Sequence, residues 1–155
     1  MSEQETTQQF NIEKIYIKDV SFESPNTPAL FIGGAEWKPE LNVNINSANS
    51  KIGDDIYEVV LTITVTAKQQ DKTAFLVEIK QAGIFTIKGF DDANLGGMLG
   101  AFCPETLFPF AREVISSLVT NGGFPPLLLT PVNFNALYQQ HLQQQQAAAE
   151  TETAH

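Results

Sequence analysis

Apolar side chains recur at every second residue in several stretches of this chain and at helical spacing in others. Residues 56–66 alternate, with Tyr57, Val59, Leu61, Ile63 and Val65 on one face. Ile56, Glu58, Val60, Thr62, Thr64 and Thr66 lie on the other. In 74–87, Phe75, Val77 and Ile79 oppose Leu76, Glu78 and Lys80, and in 41–45 Leu41, Val43 and Ile45 alternate with Asn42 and Asn44. Residues 10–23 are less regular. Their apolar residues come as Phe10 and Ile12, Ile15 and Ile17, then Val20 and Phe22, so the parity changes twice. One apolar face survives only if the strand bulges or twists strongly on each side of 15–17. Asp19, Ser21 and Glu23 then share the opposite face. "KQQDK" has hairpin length, "SANSKIGDD" reads as a turn, and Pro25, Pro28, Gly33, Gly34 and Pro39 make 24–40 a loop. That loop carries Leu30, Phe31, Ile32 and Trp37, an apolar load that suggests a binding groove.

The second half is helical in pattern. Pro104 suits the first position of a helix, and Leu107, Phe108, Ala111, Val114, Ile115, Leu118 and Val119 follow with the right spacing. Pro109 bends that helix or moves its regular start to Phe108. Asn121-Gly122 stops it. "FPPLLLTP" is extended, and Asn133 can cap a last helix that places Phe134, Leu137, Tyr138, His141 and Leu142 on one face. The fold class is α+β: a four-stranded antiparallel sheet with helices packed on one face. Residues 104–120 carry few charges, which either leaves an uncharged surface or buries a second side against another subunit.

At 155 residues the chain fits a single domain. Polar sequence at 1–9 and low-complexity sequence at 147–155 predict flexible tails around a domain at 10–146. Eighteen acidic residues against nine Lys and Arg give a net charge of −9. This disfavours nucleic acid and anionic membrane surfaces, and leaves solubility or a basic partner. One cysteine forms no internal disulfide, and no apolar run approaches the roughly 18 residues of a membrane span. No secretion signal is visible either, so the expected location is cytoplasmic.

No catalytic constellation stands out. Cys103 precedes Pro104 at the expected helix start, where a thiolate is favoured, but it has no histidine nearby in sequence. His141 falls on an apolar helix face and His155 in a tail, which makes no metal site. "GGMLG" at 96–100 lacks the spacing and lysine of a phosphate loop. Asp54-Asp55 and Asp91-Asp92 read as solvated turn residues. No cofactor is expected.

Longer motifs then carry a resemblance. "YIKDVSFESPN", "WKPEL", "DDIYEVVLTITVTA", "TAFLVEIKQAGIFTI", "FCPETLFPFAREVISSLV" and "FPPLLLTPVNFNALY" occur in an order that resembles the SecB family of bacterial protein-export chaperones, over residues 10–146. The resemblance implies a cytosolic homotetramer, a dimer of dimers, without enzymatic activity. It would hold unfolded secretory preproteins in apolar grooves and pass them to the motor SecA. It implies that the basic, zinc-binding tail of SecA docks at Asp19, Glu23, Leu76 and Glu78, zinc belonging to that partner. Trp37, Leu41, Val43, Ile45, Phe134 and Leu137 would line the client groove, and Val77, Ile79 and Gln81 would belong to an oligomer-sensitive strand. Five residues separate Phe31 from Trp37, a longer loop than is usual in the family, so Phe31 is not assigned to the groove. The alternatives are a SecB-like chaperone dedicated to a toxin–antitoxin client, and a small enzyme using Cys103.

Overall fold

The alternating stretches form one antiparallel sheet in the order β1-β4-β3-β2. Its strands are β1 (Gln9–Glu23), β2 (Glu40–Gly53), β3 (Ile56–Gln69) and β4 (Lys72–Lys88). The structure is a computed structural model, and it describes residues 7–153. In β3 and β4 every odd-numbered apolar side chain from Val59 to Val65, and both Val77 and Ile79, is wholly buried. Their even-numbered neighbours stay half-exposed, with Leu76, Glu78 and Lys80 on the open side. Gln70 and Asp71 both take positive φ (52° and 62°), which is the geometry of a two-residue hairpin matched to the strand twist.

The register of β1 on β4 shifts between Ile12 and Lys14 and again between Ile17 and Asp19. These are the two bulges that the parity changes demand. With Glu13 and Lys18 taken out of register, Phe10, Ile12, Ile15, Ile17, Val20 and Phe22 pair with Ile87, Phe85, Gly83, Gln81, Ile79 and Val77. All six therefore share the helix-covered face of the sheet. The extra residues turn the other way. Glu13 accepts from the Thr86 hydroxyl at 2.9 Å, and Lys18 reaches Glu58 on β3 at 3.0 Å.

Three expectations change. The segment "SANSKIGDD" does not turn as a whole: β2 continues to Gly53 and only Asp54-Asp55 reverse the chain. Ser47, Asn49 and Lys51 are poor strand formers, but they pair with Leu61, Val59 and Tyr57 of an already buried strand, and pairing overrides propensity. The 24–40 loop contains a short helix, α1 (Ala29–Ile32). Helical structure also begins well before Pro104. Asp91 caps α2 (Asp92–Gly97) by accepting from the Asn94 amide at 2.8 Å, and a π-helical stretch (Met98–Phe102) leads directly into α3 (Cys103–Asn121). The Cys103 amide bonds back to the Met98 carbonyl, five residues earlier. That wider turn relieves the clash a proline ring makes with the carbonyl four residues before it, here Gly100. Pro109 lies inside α3, which remains one helix to Asn121.

Leu107, Ala111, Ile115 and Val119 of α3 are fully buried against the sheet. Ring contacts extend the core outward through Phe75, Phe22, Phe124 and Phe85. The last helix, α4 (Phe134–Thr153), starts where Asn133 accepts from the Ala136 amide at 3.0 Å. Of the expected tails, residues 1–6 and 154–155 lie outside the described residues, and 147–153 continue α4.

Candidate functional site: an apolar trough and an acidic sheet face

The helix-covered side carries a trough whose deeper end is aromatic. Trp37 lies 5.4 Å from Phe124 and 6.5 Å from Phe75, Phe75 lies 5.1 Å from Phe124, and Phe31 lies 5.2 Å from Phe124. These rings come from the 24–40 loop, from β4 and from the segment after α3. Phe31, Trp37 and Phe124 border a cavity of about 610 Å³, which Leu30, Gln69 and Lys72 also help to line, and Phe75 lies buried behind them. The Phe31 ring sits against Gly123, whose φ of +91° lets the backbone turn under it, and Phe31 lines this cavity. Nothing in local spacing announces Phe124, because its neighbours are supplied by tertiary packing.

From Trp37 the chain enters β2, where Leu41, Val43 and Ile45 stand on the helix side every second residue. Leu41 and Val43 are 45% and 42% exposed, a high value for residues paired with buried Ala67 and Val65. Ile45 lines a second cavity of about 480 Å³ with Leu99, Phe134, Leu137 and Tyr138. Leu41 and Ile45 are about 13 Å apart along the strand, so an apolar strip runs along β2 between the two cavities. Leu137 is exposed, whereas Phe134 is 4% exposed and rests edge-on against Phe108 at 5.6 Å. Phe134 is therefore floor, and Leu137 is rim. A Cβ on Gly100 would come within 2.4 Å of the Tyr138 ring, and one on Gly96 within 2.6 Å of its hydroxyl. These glycines, so unhelpful to a helix, are the seat that lets α4 lie close.

The opposite side of the sheet is open. There Asp19 pairs with Lys80, Ser21 with Glu78 and Glu23 with Leu76. The register thus puts Asp19, Glu23, Leu76 and Glu78 on one face of two adjacent strands, with the Thr64 hydroxyl donating to Glu78 at 2.9 Å. Nearer the other end of this face Glu58 accepts from the Tyr16 hydroxyl and from Lys18. The Tyr16 hydrogen bond, then Lys18, holds the Glu58 carboxyl below its ordinary range. Burial, reinforced by Glu58, pushes the Tyr16 hydroxyl up to about 12. A depressed carboxylate contributes stability above its unfolded pKa and loses it as pH falls through the folded value. Glu58→Gln should therefore lower the urea midpoint slightly at neutral pH and leave no difference from the parent in acid. A gap of equal size at both pH values would contradict the assignment.

The matching family model is that of the preprotein translocase subunit SecB, over residues 3–145. The chain belongs to the SecB family. It is 56% identical to the protein-export protein SecB of Nitrosococcus oceani over 99% of this chain and 94% of the relative. It is 50% identical to that of Methylococcus capsulatus over 98% and 97%. Among solved structures, the Mycobacterium tuberculosis Rv1957 SecB-like chaperone, in complex with a ChAD peptide from the Rv1956 HigA1 antitoxin, matches with a TM-score of 0.63. That match covers 79% of this chain and 90% of the other at 15% identity, and it shows a common fold. The relatives at 50–56% identity make this chain a protein-export chaperone of the SecB kind rather than one tied to an antitoxin.

The remaining residues of interest in this SecB chain lie inside it. Val77 and Ile79 are wholly closed off beneath α3, and Gln81 is 3% exposed. The Gln81 amide donates to the Tyr16 carbonyl at 3.1 Å, while its own oxygen is buried without a hydrogen-bond partner. Cys103 is the first residue of α3, but helical structure already precedes it. It follows the π-helical stretch, is fully buried, and burial pushes its thiol up to about 12. A neutral, inaccessible thiol is no nucleophile. His141 is exposed and bonds to Gln145 one turn on. Among the described residues no three His, Cys, Asp or Glu cluster as metal ligands, and no helix is long and apolar enough to cross a membrane.

Proposed function

We propose that this chain is a cytoplasmic holdase without a chemical step, which keeps secretory preproteins extended in its trough and delivers them to SecA. The observation that carries the reading is the position of the trough. Aromatic and aliphatic side chains remain exposed at Phe31, Leu41, Val43 and Leu137 and half-buried at Trp37, on the side of the sheet opposite the Asp19, Glu23 and Glu78 carboxylates. Client and motor would therefore not compete for one surface. Each apolar side chain that a client buries contributes about 1.5–3 kcal/mol, and ordering a flexible chain offsets much of it. One short segment binds weakly, while a long one spanning several troughs gains through effective concentration.

Multiple troughs require assembly, and the working unit is residues 10–146 in a dimer of dimers. Support comes from apolar surface left uncovered in one chain. Ile12, Ile17 and Val20 on edge strand β1, and Phe102 and Phe110 on the helical layer, are 41–48% exposed. Such a surface asks for a second copy. Val77, Ile79 and Gln81 would influence assembly only through the position of α3, since they are closed off beneath it. The basic tail of SecA would meet Asp19, Glu23, Leu76 and Glu78 and bring its own zinc.

The test is light scattering of a chemically unfolded secretory precursor diluted with and without the protein, together with its mass in solution. Suppressed aggregation at one tetramer per precursor is expected. Unchanged scattering, or a monomer at micromolar concentration, would defeat the reading.

A further inference from the structure

Gln69 ends β3 on the rim of the aromatic cavity and is 6% exposed. Its side-chain nitrogen donates to the Glu36 carbonyl at 2.7 Å, and its side-chain oxygen accepts from the Lys38 amide at 3.1 Å. Those two main-chain groups flank Trp37. One amide side chain therefore grips the loop on both sides of a single residue, much as a neighbouring strand grips one residue through its own N–H and C=O. Between this grip and the Phe31 ring lie only Ile32, Gly33, Gly34, Ala35 and Glu36, with Gly34 in the left-handed region at φ +67°. Ile32 is 79% exposed and Gly34 has nothing near its missing Cβ, so little else restrains this stretch.

We infer that Gln69 is the positioning residue of the client site: its paired hydrogen bonds hold the Trp37 indole against Phe75 and Phe124. This deepens the groove reading of the preceding section and rests on it. A part-buried carbonyl and amide at the surface that lose their partner are satisfied most readily by water. The loop lies at the surface, so removal of the Gln69 amide would let residues 36–38 swing out and carry Trp37 with them. The aromatic end of the trough would then lose one wall, although none of its aromatic side chains had been changed.

Trp37 is the only tryptophan, so selectively excited tryptophan emission reports on this loop alone. The experiment uses the full chain, the variants Gln69→Leu, Gln69→Glu and Trp37→Ala, and as client probe a fluorescein-labelled lysozyme that is reduced and carboxamidomethylated and so stays unfolded. Gln69→Leu should red-shift the emission, raise acrylamide quenching about threefold, and weaken probe binding about fivefold per lost hydrogen bond, the conversion of a typical contribution of about 1 kcal/mol. Its far-ultraviolet circular dichroism should match the parent. Gln69→Glu keeps an acceptor but faces the Glu36 carbonyl with a second one at neutral pH. In mild acid the protonated carboxyl regains a donor, so the parent emission should return, a reversal that a merely space-filling role for Gln69 would not produce. Unchanged emission and quenching in Gln69→Leu, or no pH rescue in Gln69→Glu, would overturn the inference. Undiminished probe binding by Trp37→Ala would instead overturn the groove reading, and the fluorescence of the Gln69 variants would still decide the clamp.

Discussion

Phe75→Ala is expected to destabilise the protein by about 3–5 kcal/mol, the range for removing a large buried ring. Phe75 is 1% exposed, and its ring meets Phe22, Trp37 and Phe124 at 6.0, 6.5 and 5.1 Å. These partners come from β1, the 24–40 loop and the segment after α3. Their own rings cannot collapse into the gap without breaking contacts elsewhere. With a urea dependence of about 1–3 kcal/mol per molar, the unfolding midpoint should fall by roughly 2 M at fixed protein concentration. Emission from Trp37 should redden at urea concentrations well below that midpoint, because the indole loses the ring it leans on. A loss under about 1 kcal/mol, against the 3–5 expected for such a cavity, would mean that the cluster is not the core of this end of the molecule.

Replacing Asp19 and Glu78 together by alanine should weaken binding of a SecA tail peptide by an order of magnitude or more at low salt. Each surface charge pair contributes about 1 kcal/mol, and two such losses multiply to roughly thirtyfold. Both groups lie on the open face, Asp19 exposed and Glu78 half-buried, so screening should erase most of the difference near the ionic strength where the Debye length is about 8 Å. The effect should fall on the association rate more than on dissociation. Calorimetric titration at two salt concentrations would show both trends. Equal affinity for parent and variant at low salt would remove the acidic face from the docking scheme, while leaving the client trough untouched.

The two readings differ in how far sequence alone could carry them. Strand parity was enough to place Asp19 and Glu23 on one face of β1, and Leu76 and Glu78 on one face of β4. Parity also required the bulges that the register shifts at Glu13 and Lys18 supply. What parity could not say is that these faces adjoin. That follows from the pairing of Ser21 with Glu78, a contact between residues far apart in sequence. The helical start at Asp92 was obscured because Gly96, Gly97 and Gly100 are weak helix formers, and what Gly96 and Gly100 make room for is the Tyr138 side chain from a helix about forty residues later.

Periodicity and chain order by themselves determined the α+β class, the four strands, the buried faces of β3 and β4, the end of α3 at Asn121 and the cap at Asn133. Those features depend on neighbours one to four residues apart, and such neighbours are written side by side. Tertiary structure alone decided that Phe75 and Phe124 gather against Trp37 with Phe31 packed on Phe124, that Phe134 is floor and Leu137 rim, and that Gln69 grips the loop. The physical reason is that side chains brought together by packing share no common spacing. Their mutual distances are set by how sheet, helices and loop close on one another.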